Sequence, residues 1–346
     1  MTVDIPHTMN AIVLVGHGGL EKLEYHNDWP VPTPGADEVL IRVAACGLNN
    51  TDVNTRSAWY SKVNTDATTG EALVGAEGQD GTWGGAAITF PRIQGADAVG
   101  IVVSEGDHVK PSLLGKRVLI DGWLRDWDDP LNQSKADYFG SECDGGYAEY
   151  TKVSHRQVRS IDSPLSDAEL ATFSCSYVTA ENMLNRAAVT PGDTVLVTGA
   201  SGGVGSALIQ LANRRGAECI ALCGADKAAD VLAIGPIAVI DRSCKDLKSA
   251  LFEATGKESV DVVADVVGGA LWPQLISALV RGGRYTCAGA IAGPIVEFDL
   301  RTFYLRDLTF TGATVAPPRV FENLVGYIER GEIRPLLAAT YPLENF

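Results

Sequence analysis

The stretch that most limits how this chain can fold is residues 194–224, TVLVTGASGGVGSALIQLANRRGAECIALCG. An apolar run of strand length is followed by glycines at Gly199, Gly202 and Gly205, an amphipathic helical pattern over 203–215 and a second apolar run. The glycine spacing is a one-residue variant of G-x-G-x-x-G. Alone it is a weak motif, but between a strand and a helix of one βαβ unit it describes a dinucleotide site. Glycine lets the backbone approach a pyrophosphate, and the helix start offers unpaired N–H groups and the positive end of the helix dipole. Gly199, Ser201, Gly202, Gly203, Val204 and Gly205 are the expected contacts. The plainer alternative is a helix packed tightly on a strand with no ligand.

From about residue 160, SPLSDAELATFS opens a helix with Ser and Asp at its start, and the same alternation continues. Strand-like runs TVLVTG, CIALCG, AVIDR, VDVVADVVGG and GRYTCAGA are separated by helical stretches, which predicts a doubly wound parallel sheet. The end of the second strand distinguishes NAD from NADP. An NAD site places Asp or Glu there for the ribose hydroxyls, whereas this chain has Cys223 and Gly224, with Lys227 just beyond and Arg242 closing the next strand. Two cations suit a 2′-phosphate. NADPH is therefore the expected cofactor over NADH, although Asp226 lies in the same turn. The bland reading of Lys227 and Arg242 is solvated helix-edge charge.

The first 155 residues read differently. Short β-like runs such as NAIVLV, EVLIRVAA, AVGIVVSEGD, KRVLID and GYAEYTKV alternate with glycine-rich and acidic turns, as in an antiparallel barrel. Polar insertions at 61–90 and 121–142 interrupt them, and loops this long are usually lids or disordered segments. The expected organisation is a barrel domain over 1–158 and a dinucleotide-binding domain over 159–319.

A net charge of −15 argues against nucleic-acid and membrane partners. The seven cysteines are odd in number and widely spaced, which suits reduced thiols of a cytoplasmic protein. The N-terminal residues lack a signal-peptide pattern, and no run of 18 apolar residues occurs.

Taken in order, GLNNTD, QGADAVGIVV, LGKRVLI, DGGYAEYTKV, FSCSYVTAENML and TGASGGVGSALIQLA resemble the medium-chain dehydrogenase/reductase superfamily along almost the whole chain. The resemblance implies a GroES-like barrel domain and a Rossmann domain, with 320–346 returning to the barrel. It also implies that Thr179 packs under the nicotinamide, that Ala288, Gly289 and Ala290 meet the carboxamide, that Val267 joins the cofactor contacts, and that LTFTGATV (308–315) is the edge strand of a homodimer. Zinc members of the superfamily ligate catalytic metal with Cys, His and Cys. The matching positions here are Asn49, Ala96 and Cys175, and a tetrahedral site needs three protein ligands. The four-cysteine structural zinc loop is likewise unmatched in 121–142. No zinc is expected, and a rearranged site using Cys46, Cys143 or His155 is the alternative.

The chain is thus similar to the zinc-free quinone oxidoreductase (zeta-crystallin-like) branch, whose G-V-N-P-x-D and R-S-G-x-Y motifs match Gly47–Asp52 and Arg56–Tyr60. By position, Asn49, Asp52, Arg56 and Tyr60 carry over as candidate catalytic residues. The expected activity is hydride transfer from NADPH to a quinone or an α,β-unsaturated carbonyl. Tyr60 and Asn49 would donate to the developing oxyanion. Asp52 would fix the loop, and Arg56 is either a surface charge or its partner. A zinc-type alcohol dehydrogenase with an atypical site and a non-catalytic NADPH-binding redox sensor remain the competing functions.

Overall fold

A computed structural model of the chain describes residues 4–68, 81–82 and 87–346. Its contacts define two units: Met1–Asn64, Glu71–Cys175 and Pro317–Phe346 form one, and Thr65–Gly70 with Ser176–Ala316 form the other.

The first unit is antiparallel. Its strands are β1 (Thr8–Leu14), β2 (Leu23–Pro30), β3 (Glu38–Gly47), β4 (Arg92–Ile93), β5 (Asp97–Glu105), β6 (Arg117–Ile120), β7 (Trp123–Leu124), β8 (Asp137–Tyr138), β9 (Tyr150–Ser154) and β10 (Val158–Ser160), with short helices α1 (Asn50–Arg56) and α2 (Asp167–Leu170). They assemble in the orders β2-β1-β4, β10-β6-β5-β3-β9 and β7-β8. Side chains of a strand alternate between faces, and β3 uses both. Leu40 joins the core of Met9, Ile12, Val13 and Ile93, whereas Val39 and Ile41 join that of Val102, Val118, Ile120 and Phe139.

In the second unit, α3 (Ser176–Arg186) leads into β11 (Thr194–Val197), α4 (Gly203–Arg214), β12 (Glu218–Cys223), α5 (Ala228–Leu232), β13 (Ala238–Asp241), α6 (Leu247–Thr255), β14 (Val260–Asp265), α7 (Trp272–Ser277), β15 (Leu279–Cys287), α8 (Leu300–Tyr304) and β16 (Thr309–Gly312). All paired strands are parallel, in the order β13-β12-β11-β14-β15-β16, the doubly wound Rossmann order. Every residue of β11 is buried, as expected of a strand covered on both faces. Fully burying one such Val or Leu side chain stabilises by roughly 2 kcal/mol. The last α-helix, α9 (Pro318–Glu329), belongs to the first unit, where Glu322 accepts from Arg159 (2.6 Å) and Glu329 from the Asp162 N–H (3.1 Å).

Three expectations change. The boundary near 158 moves to Ser176, because 159–175 stays bound to the barrel: β10 pairs with β6, Arg117 grips Asp167 and the carbonyls of Ser163 and Leu165, and the Ser174 N–H goes to Asp97. The helix opened by Ser166, capped reciprocally with Glu169, stops at Leu170. The insertion 121–142 carries ordered structure of its own: β7 pairs with β8, and the buried Arg125 and Asp121 side chains meet at 2.7 Å. Much of the other insertion, residues 69–80 and 83–86, lies outside the described residues.

Burial pushes the Asp121 carboxyl up to about 6, against the opposing pull of Arg125. Arg125→Leu should therefore cost about 3 kcal/mol in urea denaturation at pH 7.5, because it strands a buried charge. The cost should shrink below pH 6, where Asp121 takes up a proton; an equal cost at pH 5 and pH 7.5 would contradict this.

Candidate active site

In the first unit the site is built where β3 ends and β5 begins. These strands are antiparallel partners, with Gly47 opposite Asp97 and Cys46 opposite Ala98. Gly47 is required by crowding, since a Cβ there would sit 2.2 Å from the Ala171 carbonyl oxygen. Beyond it Asn49 caps α1. The buried Asp52, one turn into the helix, gathers the loop. Its Oδ2 accepts from the Asn49 N–H (2.9 Å) and the Tyr147 hydroxyl (2.9 Å), and its Oδ1 from the Gly95 N–H (3.3 Å). Gln94 donates to the Asp52 carbonyl at 2.9 Å.

Asp97 is a second buried carboxylate, 1% exposed. It accepts from the N–H groups of Ser174 (2.9 Å) and Cys175 and from the Asn49 side chain. Burial raises Asp52 to about 6 and Asp97 to about 7, despite these donors. Burial likewise raises the Cys175 thiol, which is hydrogen-bonded to the Tyr138 hydroxyl. The Tyr60 hydroxyl donates to Thr51 Oγ1 at 3.1 Å, and burial pushes it up to about 12. Tyr60 is thus a neutral hydrogen-bonding group at physiological pH.

Asn49, Asp52 and Tyr60 therefore share one helix start and the segment that follows it. Arg56, at the other end of α1, donates Nε–H to the Gly18 carbonyl (3.3 Å) and forms no ion pair with Asp52, whose donors come from elsewhere. Sequence reasoning missed Asp97, Tyr138 and Tyr147. The one available signal was an Asp inside the apolar run QGADAVGIVV, since a buried charge needs a reason. Ala96 is buried, and among the described residues no group of three or more His, Cys, Asp or Glu side chains is arranged to hold a metal ion.

In the second unit the glycine turn behaves as its spacing predicts. Gly199 has φ +57°, a conformation glycine favours. Gly202 caps α4, and a Cβ on Gly205 would lie 2.2 Å from the Gly199 carbonyl oxygen, so only glycine lets helix and turn approach. Ser201 and Gly203 are exposed and Val204 half-buried, leaving the first N–H groups of a 12-residue helix for an anion. These residues fit a dinucleotide. At the end of β12 the Cys223 carbonyl accepts the Arg242 N–H (2.8 Å) and the Gly224 carbonyl the Lys227 N–H (3.0 Å). Both cations are exposed, and neither forms an ion pair among the described residues. Asp226 curls over Gly224, its Oδ1 2.6 Å from where a Cβ would stand, with Arg242 Nε 3.7 Å from the same point. Ala288 donates its N–H to the Asp265 carbonyl (3.2 Å), and a Cβ on Gly289 would lie 3.0 Å from the Val266 carbonyl oxygen. Ala288, Gly289 and Ala290 thus follow the turn that contains Val267. Thr179 is half-buried on α3.

Because the folded protein raises Asp52 and Asp97, the native state holds more protons than the unfolded chain between pH about 4 and about 7. Their contribution to stability is greatest at the acid end and is lost as pH rises through that window. Asp97→Asn should flatten the decline of Tm between pH 5 and 8; an unchanged slope by calorimetry would contradict the assignment.

Comparison with known proteins agrees with both units. The alcohol dehydrogenase GroES-like domain matches residues 35–163, and the zinc-binding dehydrogenase family matches 203–330. Quinone oxidoreductase of Homo sapiens is 25% identical over 345 residues, spanning 97% of this chain and 91% of its own length. Acryloyl-coenzyme A reductase of Metallosphaera sedula is 28% identical over 348 residues, spanning 97% and 94%. Among solved structures, a protein of Sinorhizobium meliloti 1021 provisionally described as an alcohol dehydrogenase is 48% identical with a TM-score of 0.86, covering 96% of this chain and 89% of that one. The chain belongs to the medium-chain dehydrogenase/reductase superfamily of oxidoreductases.

Proposed function

We propose that this protein is an NADPH-dependent reductase of quinones or α,β-unsaturated carbonyl compounds that works without catalytic zinc. The observation that carries the reading is the donor set at the zinc positions. Asn49 and Ala96 stand where two ligands would be, and Cys175 is hydrogen-bonded to Tyr138. Asn49 is itself engaged with Asp97. One thiol is too few for a tetrahedral site with three protein ligands. The names of the quinone oxidoreductase and acryloyl-coenzyme A reductase relatives support the acceptor class.

Bound NADPH supplies the hydride. Lys227 and Arg242 hold its 2′-phosphate, Gly199, Ser201 and the α4 start its pyrophosphate, and Thr179, Val267 and 288–290 its nicotinamide. An acceptor whose double bond is conjugated to a carbonyl is already polarised, so the protein needs to orient it and stabilise the oxygen that gains charge. Tyr60, neutral and held on Thr51, and the Asn49 amide are the hydrogen-bond donors for that oxygen. Asp52 acts through Asn49 and the Gly95 turn, as a positioning residue. Arg56 supports the loop through Gly18. Pairing of β16, at the sheet edge, with its copy in a second chain would give a homodimer.

A second reading, an alcohol dehydrogenase, is favoured by the 48% identity to the Sinorhizobium protein. A turnover screen with NADPH and NADH against quinones, enones, enoyl thioesters and alcohols, with and without chelator, separates the two. Chelator-resistant reduction of a quinone, enone or enoyl thioester supports our proposal, and alcohol oxidation abolished by chelator defeats it. Tyr60→Phe should lower kcat by about 10- to 100-fold while leaving the Kd for NADPH unchanged. Arg242→Ala should weaken NADPH about tenfold and NADH hardly at all. Equal loss for both nucleotides would remove the phosphate assignment.

A further inference from the structure

One carboxylate of the second unit has no part in the chemistry above. Asp265 closes β14 and is fully buried, at 0% exposure. Its Oδ1 accepts from the Thr198 hydroxyl (2.6 Å), the Val267 N–H (2.8 Å) and the Gly268 N–H (3.2 Å). Its Oδ2 accepts from the Tyr285 hydroxyl (2.7 Å) and again from Gly268 (3.2 Å). Thr198 Oγ1 in turn accepts the Val266 N–H at 3.0 Å. One side chain thus ties together the C-terminal ends of β11, β14 and β15, the ends where open parallel sheets bind ligands.

What this knot holds is backbone that would not hold itself. Thr198 immediately precedes Gly199 of the glycine turn, and a Cβ on Gly199 would come within 2.9 Å of Val266 Cγ2. Gly268 and Gly269 adopt φ +62° and +61°, two left-handed residues in succession. The segment after β15 then hangs on the same turn, with Ala288 N–H to Asp265 O (3.2 Å), Ile291 N–H to Val266 O (3.3 Å) and Ala292 N–H to Val267 O (2.8 Å). A buried carboxylate is a poor way to gain stability, since apolar side chains of similar volume often do as well or better. Its distinctive property is that it fixes several donors in one geometry.

We infer that Asp265 is a positioning residue for the bound nicotinamide nucleotide, because its carboxylate holds the glycine turn, Val267 and the 288–290 segment in the arrangement that receives the cofactor. This rests on the nucleotide assignment made under Proposed function. Tyr285→Phe removes one donor and Thr198→Val removes one donor together with the acceptor of the Val266 N–H, both leaving the carboxylate and nearly the same packing volume, and Thr198→Ser keeps the hydroxyl.

The Kd for NADPH and for NADH, measured by fluorescence titration, should rise about tenfold in Thr198→Val and in Tyr285→Phe and stay at the wild-type value in Thr198→Ser. Hydrogen exchange without nucleotide should show the Val267 and Gly268 amides opening faster in the two loss variants, with the amides of α4 unchanged. Variants that lose Tm but keep wild-type Kd and wild-type exchange would show that Asp265 only stabilises, and the inference would fall alone. Wild-type protein that binds neither nucleotide would sink the inference together with the assignment beneath it.

Discussion

A carboxylate removed from water must be surrounded by donors, and this requirement shapes both units. Asp52, Asp97, Asp121 and Asp265 are all buried, a placement that is costly unless each finds hydrogen bonds or a cation. Each finds its partners in neighbouring loops. Asp52 draws in Asn49, Gly95 and Tyr147; Asp97 draws in Ser174; Asp121 draws in Arg125; Asp265 draws in Thr198, Val267, Gly268 and Tyr285. Loops otherwise favour mobility, since their backbone groups can bond to water as well as to protein. Here the polar groups of key loops are claimed by buried charges, and so the candidate site residues are held by the fold.

The same logic ties Asn49 and Cys175 into the fold. Asn49 both caps α1 and bonds Asp97, and Cys175 meets the hydroxyl of Tyr138. Around them stand a neutral tyrosine hydroxyl and two carboxyls raised by burial.

Legibility followed sequence separation. The glycine turn could be read because its demands are local: Gly199 needs a left-handed backbone and Gly205 must lack a Cβ, and both show in the residue types. The cations at Lys227 and Arg242 were visible for the same reason. Tyr147 was not, because it reaches Asp52 across 95 residues, and Asp97 receives Ser174 across 77. Arg56 sits close to Asp52 in the chain yet bonds Gly18 instead. The helix expected beyond Ser166 ends after Leu170, where the chain turns to deliver the Ser174 N–H.

By itself the sequence determined the fold class and the glycine turn between strand and helix, since periodicity and glycine act within a few residues. Only the tertiary structure decided which side chains complete the site, where 159–175 belongs and what the insertion at 121–142 becomes. Those outcomes depend on buried charges choosing among distant donors, and that choice exists only once the strands have paired.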